Sequence, residues 1–428
     1  MGNRRAFVKQ LGVAGSGVAL SGLVAARRLF ARELESVQPL AALGLDRLGL
    51  RERYLLDPDI LYFNHASIGT VPRAVHESRV RYLEVCESNP WLHMWGGVWE
   101  EPREETRAKT AAYLGCLPDE VAITHNATEG FNLLAQGLPL GPGDEVVFSS
   151  LNHAGASICW EHHAETKGYT VHRFGFPILE VPSMTVEDVL NVYDREIRPN
   201  TRMLVFPHID NIVGLRYPVR ELAALARSKG VEFVAVDGAQ SMGMIPLDMR
   251  ELGVDFYASS PHKWVQSPKG LGVLYVSETV RDMLRPMWVT WGQQRWSGSA
   301  RLFEDYGTRN LPEVITLGDA IDFQNQLGAA EKEARYRELW SLALDLVDAT
   351  PELVWHSPTD WSLSGSLYSI EVRGKDSTDL FRDLYGEQGT VFRPFNTQGL
   401  NSSRISPNVI TTDEELERLL GLMAARAG

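Results

Sequence analysis

The sequence predicts an α/β protein, with a large domain built on a mostly parallel sheet sandwiched by helices and a smaller C-terminal α+β domain. Short apolar runs alternate with helical stretches between about residues 60 and 280, a pattern typical of βαβ units. From about residue 315 the pattern changes to longer helices and short strand-like pieces. The chain has 428 residues, 44% of them hydrophobic, so two or three domains with ample core are expected.

Five apolar runs are the predicted strands of the large domain, which is expected to span residues 61–310. They are VAIT (121–124), EVVFSS (145–150), RMLVFPH (202–208), VEFVAV (231–236) and GLGVLYV (270–276). Helices are expected between them. The stretch VRELAALARSKG, for example, ends in the glycine that commonly follows a helix.

The smaller domain is expected to span residues 311–428. Its pattern predicts one long helix over 315–347, a strand-like piece at SLYSIEV (366–372) and a closing helix at DEELERLLGLMAARA (413–427). Repeats, low-complexity tracts and flexible linkers are absent from the sequence.

The N-terminus resembles a twin-arginine export signal. Arg4 and Arg5 precede a mildly apolar stretch that ends in small residues near Ala26. Residues 1–26 are therefore predicted to be a signal segment and 27–60 an N-terminal helical segment, with the protein periplasmic or exported and otherwise cytoplasmic. An amphipathic start helix or a retained anchor is the alternative.

The composition excludes several classes of partner. A net charge of −13 argues against nucleic acid and anionic membrane surfaces. The three cysteines have no metal-ligand spacing, so no metal site is predicted and no disulfide framework exists, although one disulfide can form. Beyond the N-terminal segment, no stretch is long and apolar enough to span a bilayer.

Three tryptophans follow one another at intervals of four residues. Trp91, Trp95 and Trp99 would form one stripe on a helix. The stripe is interpreted as core packing, and the alternative is an aromatic wall of a substrate channel.

Polar residues follow four of the predicted strands. HNATEG follows the first, LNHAG the second, IDNIVG the third and DGAQ the fourth. In open α/β sheets, ligands bind outside the carboxyl ends of the strands. The sequence therefore predicts one polar pocket at this edge of the sheet.

Lys263 is the candidate nucleophile of that pocket. It lies in SSPHKWVQSPKG, directly before the apolar GLGVLYV run, where a solvated loop lysine is the plain alternative. A lysine in such a pocket can form a Schiff base with an aldehyde cofactor such as pyridoxal phosphate. That cofactor needs a carboxylate at its pyridine nitrogen, and Asp237 fits, although it would also serve as a helix cap.

Backbone donors for a phosphate are expected where a helix begins. Ala127 and Thr128 follow the first strand and precede an apolar-periodic stretch, so their N–H groups would face an anion. Ser260 and His262 can add a hydroxyl and an imidazole. His153 would stack on the cofactor ring or remain an ordinary loop histidine.

The stretch VDGAQSMGMIPLDMRELGVDFYASSPHKWVQSPKGLGVLYV closely resembles the class V aminotransferase-fold enzymes that depend on pyridoxal phosphate. This family includes cysteine desulfurases and isopenicillin N epimerase. The resemblance extends from YFNHASIGTVP (62–72) to SRISPNVITTDEELERL (403–419), and it implies the fold of the fold-type I pyridoxal-phosphate transferases.

The resemblance also implies the roles of individual residues. Lys263 would be the Schiff-base lysine, Asp237 the partner of the pyridine nitrogen and His153 the residue over the ring. Thr308, in FEDYGTRN, would reach the phosphate of a neighbouring subunit, which implies a homodimer. The remaining implied cofactor ligands are Ala127, Thr128, Asn211, Gln240, Ser260 and His262, and the implied substrate ligands are Arg404, Asn64 and Arg393.

The reaction expected from this resemblance takes place at the α-carbon of an amino acid or of a small molecule that contains one. RPFNTQGLNSSR (393–404) has no cysteine where desulfurases carry their nucleophile, which predicts that the chain is not a cysteine desulfurase. The isopenicillin N epimerase branch is the nearer one, with a class V aminotransferase or a C–S β-lyase as alternatives. A non-catalytic pyridoxal-phosphate-binding protein is the alternative from another class. A hydride-transferring Rossmann enzyme is disfavoured because no strand–GxGxxG–helix unit exists.

Overall fold

The computed structural model describes residues 21–29, 31–32 and 47–428. Its largest sheet has seven strands within that part of the chain, in the order β2-β8-β7-β6-β5-β3-β4. The strands are β1 Leu61–Tyr62, β2 Val121–Thr124, β3 Glu145–Ser149, β4 Thr170–Phe174, β5 Thr201–Pro207, β6 Phe233–Asp237, β7 Phe256–Ser259, β8 Gly272–Val276, β9 Leu353–Trp355, β10 Tyr368–Val372, β11 Thr390–Val391, β12 Arg393–Thr397 and β13 Leu400–Ile405.

The predicted α/β class is confirmed. Strands β4, β3, β5, β6 and β7 are parallel, and β8 runs antiparallel between β7 and β2. Strand β2 therefore points the same way as β3, β5, β6 and β7, which places their carboxyl ends at one edge. All five predicted runs are strands. The sequence did not predict β4, whose edge position leaves its TVHRF side chains partly exposed, or β7.

Helices cover both faces of this sheet and build much of the smaller domain. They are α1 Arg47–Arg51, α2 Arg73–Ser88, α3 Pro90–Trp95, α4 Glu100–Leu114, α5 Ala127–Gly137, α6 Ala154–Lys167, α7 Val186–Glu196, α8 Val219–Ser228, α9 Met249–Leu252, α10 Gly292–Arg295, α11 Leu311–Leu327, α12 Ala329–Asp348, α13 Ser377–Gln388 and α14 Asp413–Ala424.

The long helix predicted over 315–347 is two helices, α11 and α12. Gly328 separates them with a φ of +87°, a left-handed conformation that other residues adopt only under strain. Helix α11 packs on the large domain, where Lys109 Nζ donates to Asp322 Oδ2 at 2.6 Å. Helix α12 continues towards the smaller domain, so this pair connects the two cores.

The smaller core lies between helices and an antiparallel sheet in the order β12-β13-β10-β9. Leu61 and Phe63, from the start of the large domain, are buried in this core. Strand β1 pairs with β11 in parallel, with Leu61 opposite Thr390. The chain around residues 61–72 therefore runs between the two domains, beside the edge where the strands end.

Residues 21–29 are helical and pack on the large domain. Leu23 and Ala26 are buried against a cluster that contains Tyr82, Trp99 and Ile315. The predicted boundary at residue 26 falls inside this helix. Arg4 and Arg5, which carry the prediction of an export signal, lie outside the described residues. No helix in the described ranges is long and apolar enough to cross a membrane.

The predicted tryptophan stripe is divided between two helices. Trp91 and Trp95 belong to α3 and are 69% and 65% exposed, whereas Trp99 precedes α4 and is buried. Gly97, with a φ of +80°, turns the chain between the two helices. Core packing is therefore correct for Trp99 and wrong for Trp91 and Trp95.

Candidate active site

Lys263 lies in the loop after β7, at the edge where the parallel strands end. The segment around Gly69 lies directly against this loop, and the Gly69 N–H donates to the His262 carbonyl at 2.9 Å. A Cβ atom at Gly69 would lie 2.1 Å from the Lys263 carbonyl oxygen. Only glycine, which has no Cβ atom, allows the two backbones to approach this closely. The GTVP segment after the first strand therefore helps to position the lysine loop.

The amine of Lys263 has the properties of a nucleophile. Burial lowers its pKa to about 8, with Arg404 acting in the same direction and Asp237 against it. Among the described residues, no hydrogen-bond acceptor or ion-pair partner is found for this amine. The lowered pKa increases the fraction of neutral amine near neutral pH, and the neutral amine is the form that attacks an aldehyde.

Asp237 ends β6 and is buried, with 7% of its surface exposed. Its Oδ1 accepts the Ala239 N–H at 2.9 Å, and no cation within the described part of the chain lies within ion-pair distance. A buried carboxylate without a cation is unfavourable unless a ligand supplies the positive charge. A protonated pyridine nitrogen supplies that charge.

The N-terminus of α5 is adjacent to the lysine loop. The Ala127 N–H donates to Ser260 Oγ at 3.0 Å. A Cβ atom at Gly155 would lie 2.4 Å from Thr128 Oγ1, so the start of α6 packs closely on the start of α5. His262 Nδ1 is buried without a partner in the structure, and burial lowers the pKa of this imidazole to about 4. An anion placed here would meet a helix N-terminus, a hydroxyl and a neutral imidazole.

Gln240 and His153 complete the ring side of the site. Gln240 Oε1 accepts the indole N–H of Trp264 at 2.9 Å, and its Nε2 donates to the Ala66 carbonyl at 2.9 Å. One N–H of the Gln240 amide therefore remains for a ligand. His153 caps α6 through its Nδ1, which accepts the Gly155 N–H at 3.0 Å.

His153 is electrostatically part of the cluster. Burial lowers its pKa, Lys263 and the two arginines Arg404 and Arg393 lower it further, and Asp237 opposes them. The residue as a whole retains contact with solvent, so its burial is partial. Its placement over a bound ring remains a prediction.

Arg404, at the end of β13, is the buried cation of the site, with 2% of its surface exposed. Its Nη1 donates to the Asn211 carbonyl at 2.8 Å, and its Nη2 donates to Asn64 Oδ1 at 2.8 Å and to Ser67 Oγ at 2.6 Å. The Nε atom is buried without a partner in the structure. No described carboxylate forms an ion pair with Arg404, so the guanidinium is fixed by neutral groups and keeps its charge for a ligand.

Arg393 lies opposite Arg404 in the β12–β13 pair. The two guanidinium groups lie over the ring of Phe395, with Cζ-to-centroid distances of 5.8 Å for Arg393 and 5.4 Å for Arg404. Arg393 is exposed, and no described carboxylate pairs with it. A second anionic group on a ligand would meet this side chain first.

Thr308 is the predicted site residue that the structure does not bring to Lys263. It is exposed and lines a separate cavity of about 880 Å³, together with Trp95, Trp291 and Trp296. The segment before Thr308 contacts the beginning of α5, where the rings of Tyr306 and His125 are 4.6 Å apart. The role predicted for Thr308 is in a neighbouring subunit and remains a prediction.

The residues present fit pyridoxal phosphate. A lysine amine without a described partner, a buried carboxylate without a described cation and a helix N-terminus follow the carboxyl ends of β7, β6 and β2, and an orphaned imidazole nitrogen lies beside the lysine. When bound, pyridoxal phosphate supplies an electron sink for negative charge at a substrate's α-carbon. Fold and site together define a pyridoxal-phosphate-dependent enzyme of fold type I.

Comparison with known proteins specifies the family. The profile of the family described as aminotransferase class-V matches residues 61–410. The chain belongs to the class-V aminotransferase family.

Two relatives and one solved structure show what the chain is similar to. The chain is 30% identical to an isopenicillin N epimerase of Streptomyces clavuligerus over 398 residues, which are 88% of this chain and 98% of that protein. It is also 30% identical to a cysteine desulfurase of Klebsiella pneumoniae over 320 residues, 70% of this chain and 75% of that protein. A solved cystine C–S lyase, in complex with its reaction product cysteine persulfide, superposes with a TM-score of 0.79 at 23% identity, covering 87% of this chain and 99% of that one.

The prediction that the chain is not a cysteine desulfurase is wrong. Cysteine desulfurases are among its relatives at the same identity as the epimerase. The prediction was based only on the absence of a cysteine in residues 393–404, where desulfurases carry their nucleophile.

Some residues that position the site were not predicted. Ser67 binds Arg404, Trp264 binds Gln240, and Gly69 supports the lysine loop. Ser67 and Gly69 lie within YFNHASIGTVP, which was quoted for the resemblance. The partners of Trp264 are distant in sequence, and no local pattern indicated them.

Proposed function

We propose that this enzyme removes and returns the proton at the α-carbon of an amino acid or of a small molecule that contains one, in the manner of an isopenicillin N epimerase. The observation that carries the proposal is that one site contains both a Lys263 amine of lowered pKa and a buried Arg404. Arg404 has no carboxylate partner among the described residues. The relative of this name, which the chain covers over 98% of its length, supports it.

Each residue of the site then has a defined task. Arg404 holds the substrate carboxylate by charge-assisted hydrogen bonds, and its contacts with Asn211, Asn64 and Ser67 fix its plane. The Lys263 amine would accept the α-proton from one face of the substrate, and a proton delivered to the opposite face would complete the inversion. Asp237 keeps the ring nitrogen protonated, and Arg393 is available to a second anionic group.

The test follows the fate of the α-proton in deuterium oxide. Isopenicillin N and a panel of L-amino acids are incubated with the holoenzyme, and α-deuteration, inversion, keto-acid release and sulfide release are measured in parallel. Inversion with one solvent deuteron incorporated and no keto acid supports the proposal. Stoichiometric keto acid would indicate an aminotransferase. Release of keto acid or of sulfide without inversion would overturn the epimerase proposal.

Cysteine desulfuration is the second candidate, and the Klebsiella pneumoniae relative favours it. Alanine and sulfide formed from cysteine in the same panel would support it. Omitting and adding an external thiol separates release of sulfur to a small molecule from storage on the protein.

We also propose that the enzyme is a homodimer in which Thr308 reaches the phosphate end of the neighbouring site. Exposed aromatic side chains beside Thr308 support this, since Trp95 is 65% and Trp291 70% exposed. Patches of this kind mark interfaces. Mixing a Thr308→Ala chain with a Lys263→Ala chain tests it. A site with both intact residues then forms only if Thr308 acts across the interface, and the position of the phosphate resonance in ³¹P spectra reports it.

We further propose export through the twin-arginine pathway, on the basis of Arg4 and Arg5. Cell fractionation should find the wild type outside the cytoplasm and the Arg4→Lys, Arg5→Lys double variant inside. Equal cytoplasmic retention of both would overturn export. Sequencing the mature N-terminus then decides whether the Leu23 contact of the 21–29 helix is retained.

A further inference from the structure

Lys332 is a buried lysine that the chemistry described above does not use. It lies in α12, and only 2% of its surface is exposed. No carboxylate in the described part of the chain lies within ion-pair distance of it. Buried lysines are rare unless they are paired, so three neutral partners in place of a counter-ion require an explanation.

The three partners lead towards the cofactor site. Lys332 Nζ donates to Gln324 Oε1 at 2.9 Å, to the Gly243 carbonyl at 3.2 Å and to Tyr113 Oη at 3.1 Å. All three donor positions of an ammonium group are therefore used. Burial lowers the pKa of Lys332 to about 7, and no charged neighbour contributes to this shift.

The first branch reaches the loop of Lys263. Gln324 Nε2 donates to Gln266 Oε1 at 3.0 Å, and the Tyr54 hydroxyl donates to the same oxygen at 2.7 Å. Gln266 lies three positions after Lys263 and is 1% exposed. Its φ of +59° is a left-handed conformation that a non-glycine residue keeps only where surrounding contacts hold it.

The second branch reaches the loop that follows Asp237. Gly243 has a φ of +94°, and a Cβ atom there would lie 2.6 Å from both Trp264 C and Val265 N. The Gly243 backbone therefore lies against the Trp264–Val265 peptide, one residue beyond Lys263. One amine thus contacts the loop after β6 directly and the loop after β7 through two glutamines.

We propose that Lys332 is a positioning residue for the cofactor site, which fixes the loop of Asp237 against the loop of Lys263 through Gly243 and through Gln324 and Gln266. Its donors hold the two loops in one relative position. The spacing of the carboxylate and the amine across a bound ring then depends on a residue of α12. The inference requires only that the cofactor binds, and it is independent of which reaction follows.

The test compares three holoenzyme variants without any substrate. Lys332→Met keeps the length and removes the donors. Gln324→Met cuts the Gln266 branch and leaves the Gly243 contact. Lys375→Met is the control, because Lys375 is a lysine of the smaller domain that is paired with Asp383 at 2.8 Å.

The readouts are the rate at which cofactor is lost to a scavenger and the visible circular dichroism of the bound cofactor, which reports its fixed orientation. Lys332→Met should lose cofactor about tenfold faster, with weakened dichroism, because the Gly243 carbonyl of one loop and the Gln324 amide that binds the other loop both lose their donor. Gln324→Met should show a smaller change in the same direction, and Lys375→Met none.

If Lys332→Met released cofactor at the wild-type rate and showed wild-type dichroism, the proposal would be overturned. A lower melting temperature alone would mean that Lys332 contributes only to the stability of the fold. Should Lys332→Met fail to fold, Gln324→Met decides. If Gln324→Met then released its cofactor at the wild-type rate and with wild-type dichroism, the proposed role of Lys332 would be overturned.

Discussion

The indole N–H of Trp264 donates to Gln240 Oε1 at 2.9 Å. This contact joins the residue that follows Lys263 to the residue that lies three positions after Asp237. Both partners are buried, and Trp264 also packs edge-on against Tyr336 of α12, with ring centroids 5.7 Å apart. The two loops that hold the cofactor are therefore linked to each other on the ring side as well as through Lys332.

Trp264→Phe should destabilise the protein and disturb Gln240. The substitution leaves a buried amide oxygen without its donor, which costs about 1–3 kcal/mol in the free energy of unfolding. Trp99→Phe is a matched control, because Trp99 is also buried and its indole N–H has no partner in the structure. Urea unfolding of both variants measures the difference. Equal losses would mean that the Gln240 hydrogen bond contributes nothing beyond ring packing.

Lys263→Ala should abolish covalent retention of pyridoxal phosphate and reduce turnover by at least about 10²–10⁴-fold, the contribution of a positioned proton-transfer group. Borohydride reduction followed by peptide mapping should place the label on Lys263 in the wild type and find no label in the variant. Lys269→Ala, an exposed lysine in the same loop, is the control. A label on Lys269 in the wild type would contradict the assignment.

Asp237→Asn should retain cofactor but lower turnover on the order of 100-fold, the usual effect of removing one preorganised electrostatic partner. Asparagine can preserve the Ala239 N–H contact while losing the charge that favours a protonated ring nitrogen. Asp376→Asn, which replaces one good helix cap by another at the start of α13, controls for the change of residue type. Undiminished turnover in Asp237→Asn would remove Asp237 from the mechanism.

The fold and most of the site could be predicted from sequence because both depend on local patterns. Apolar runs such as VAIT predict the strands. The carboxyl ends of parallel strands lie at one edge of the sheet, so the end of β6 places Asp237 at the edge where the other site residues are expected. Lys332 could not be found in this way. In AAEKEARYRELW it has the pattern of a solvated helix face, and its partners Gly243 and Gln324 meet it only in the folded chain.

The contribution of Lys332 to the stability of the apo protein should increase as pH rises from about 7 to about 10. The folded-state pKa of Lys332 is about 7, and its ordinary pKa is 10.5, so the unfolded chain binds the additional proton between these values. Stability then rises with pH by at most about 1.4 kcal/mol per pH unit for this group. Below pH 7 both states are protonated, so this contribution stays constant there.

The comparison that isolates the group is wild type against Lys332→Met. Chemical unfolding at several pH values should give a difference in the free energy of unfolding that shifts in favour of the wild type as pH rises through this window. Tyrosines and thiols that titrate above pH 8 affect both proteins alike and cancel in the difference. A difference that is independent of pH would contradict the lowered pKa.

The last prediction concerns how the substrate is held. Arg404→Lys should lower kcat/KM on the order of ten- to a thousandfold for a substrate with an α-carboxylate, because a point charge replaces a planar fork and each charge-assisted hydrogen bond contributes about 1.5–3 kcal/mol. The lysine amine also cannot reproduce the contacts to Asn211, Asn64 and Ser67 that fix the plane of the guanidinium. Arg393→Lys is the matched control on the opposite strand and should have a smaller effect on any substrate with a single carboxylate. Spectral titration with the corresponding decarboxylated amine separates carboxylate binding from damage to the site, since its affinity should be the same in wild type and Arg404→Lys. A greater loss in Arg393→Lys than in Arg404→Lys would transfer the carboxylate to Arg393.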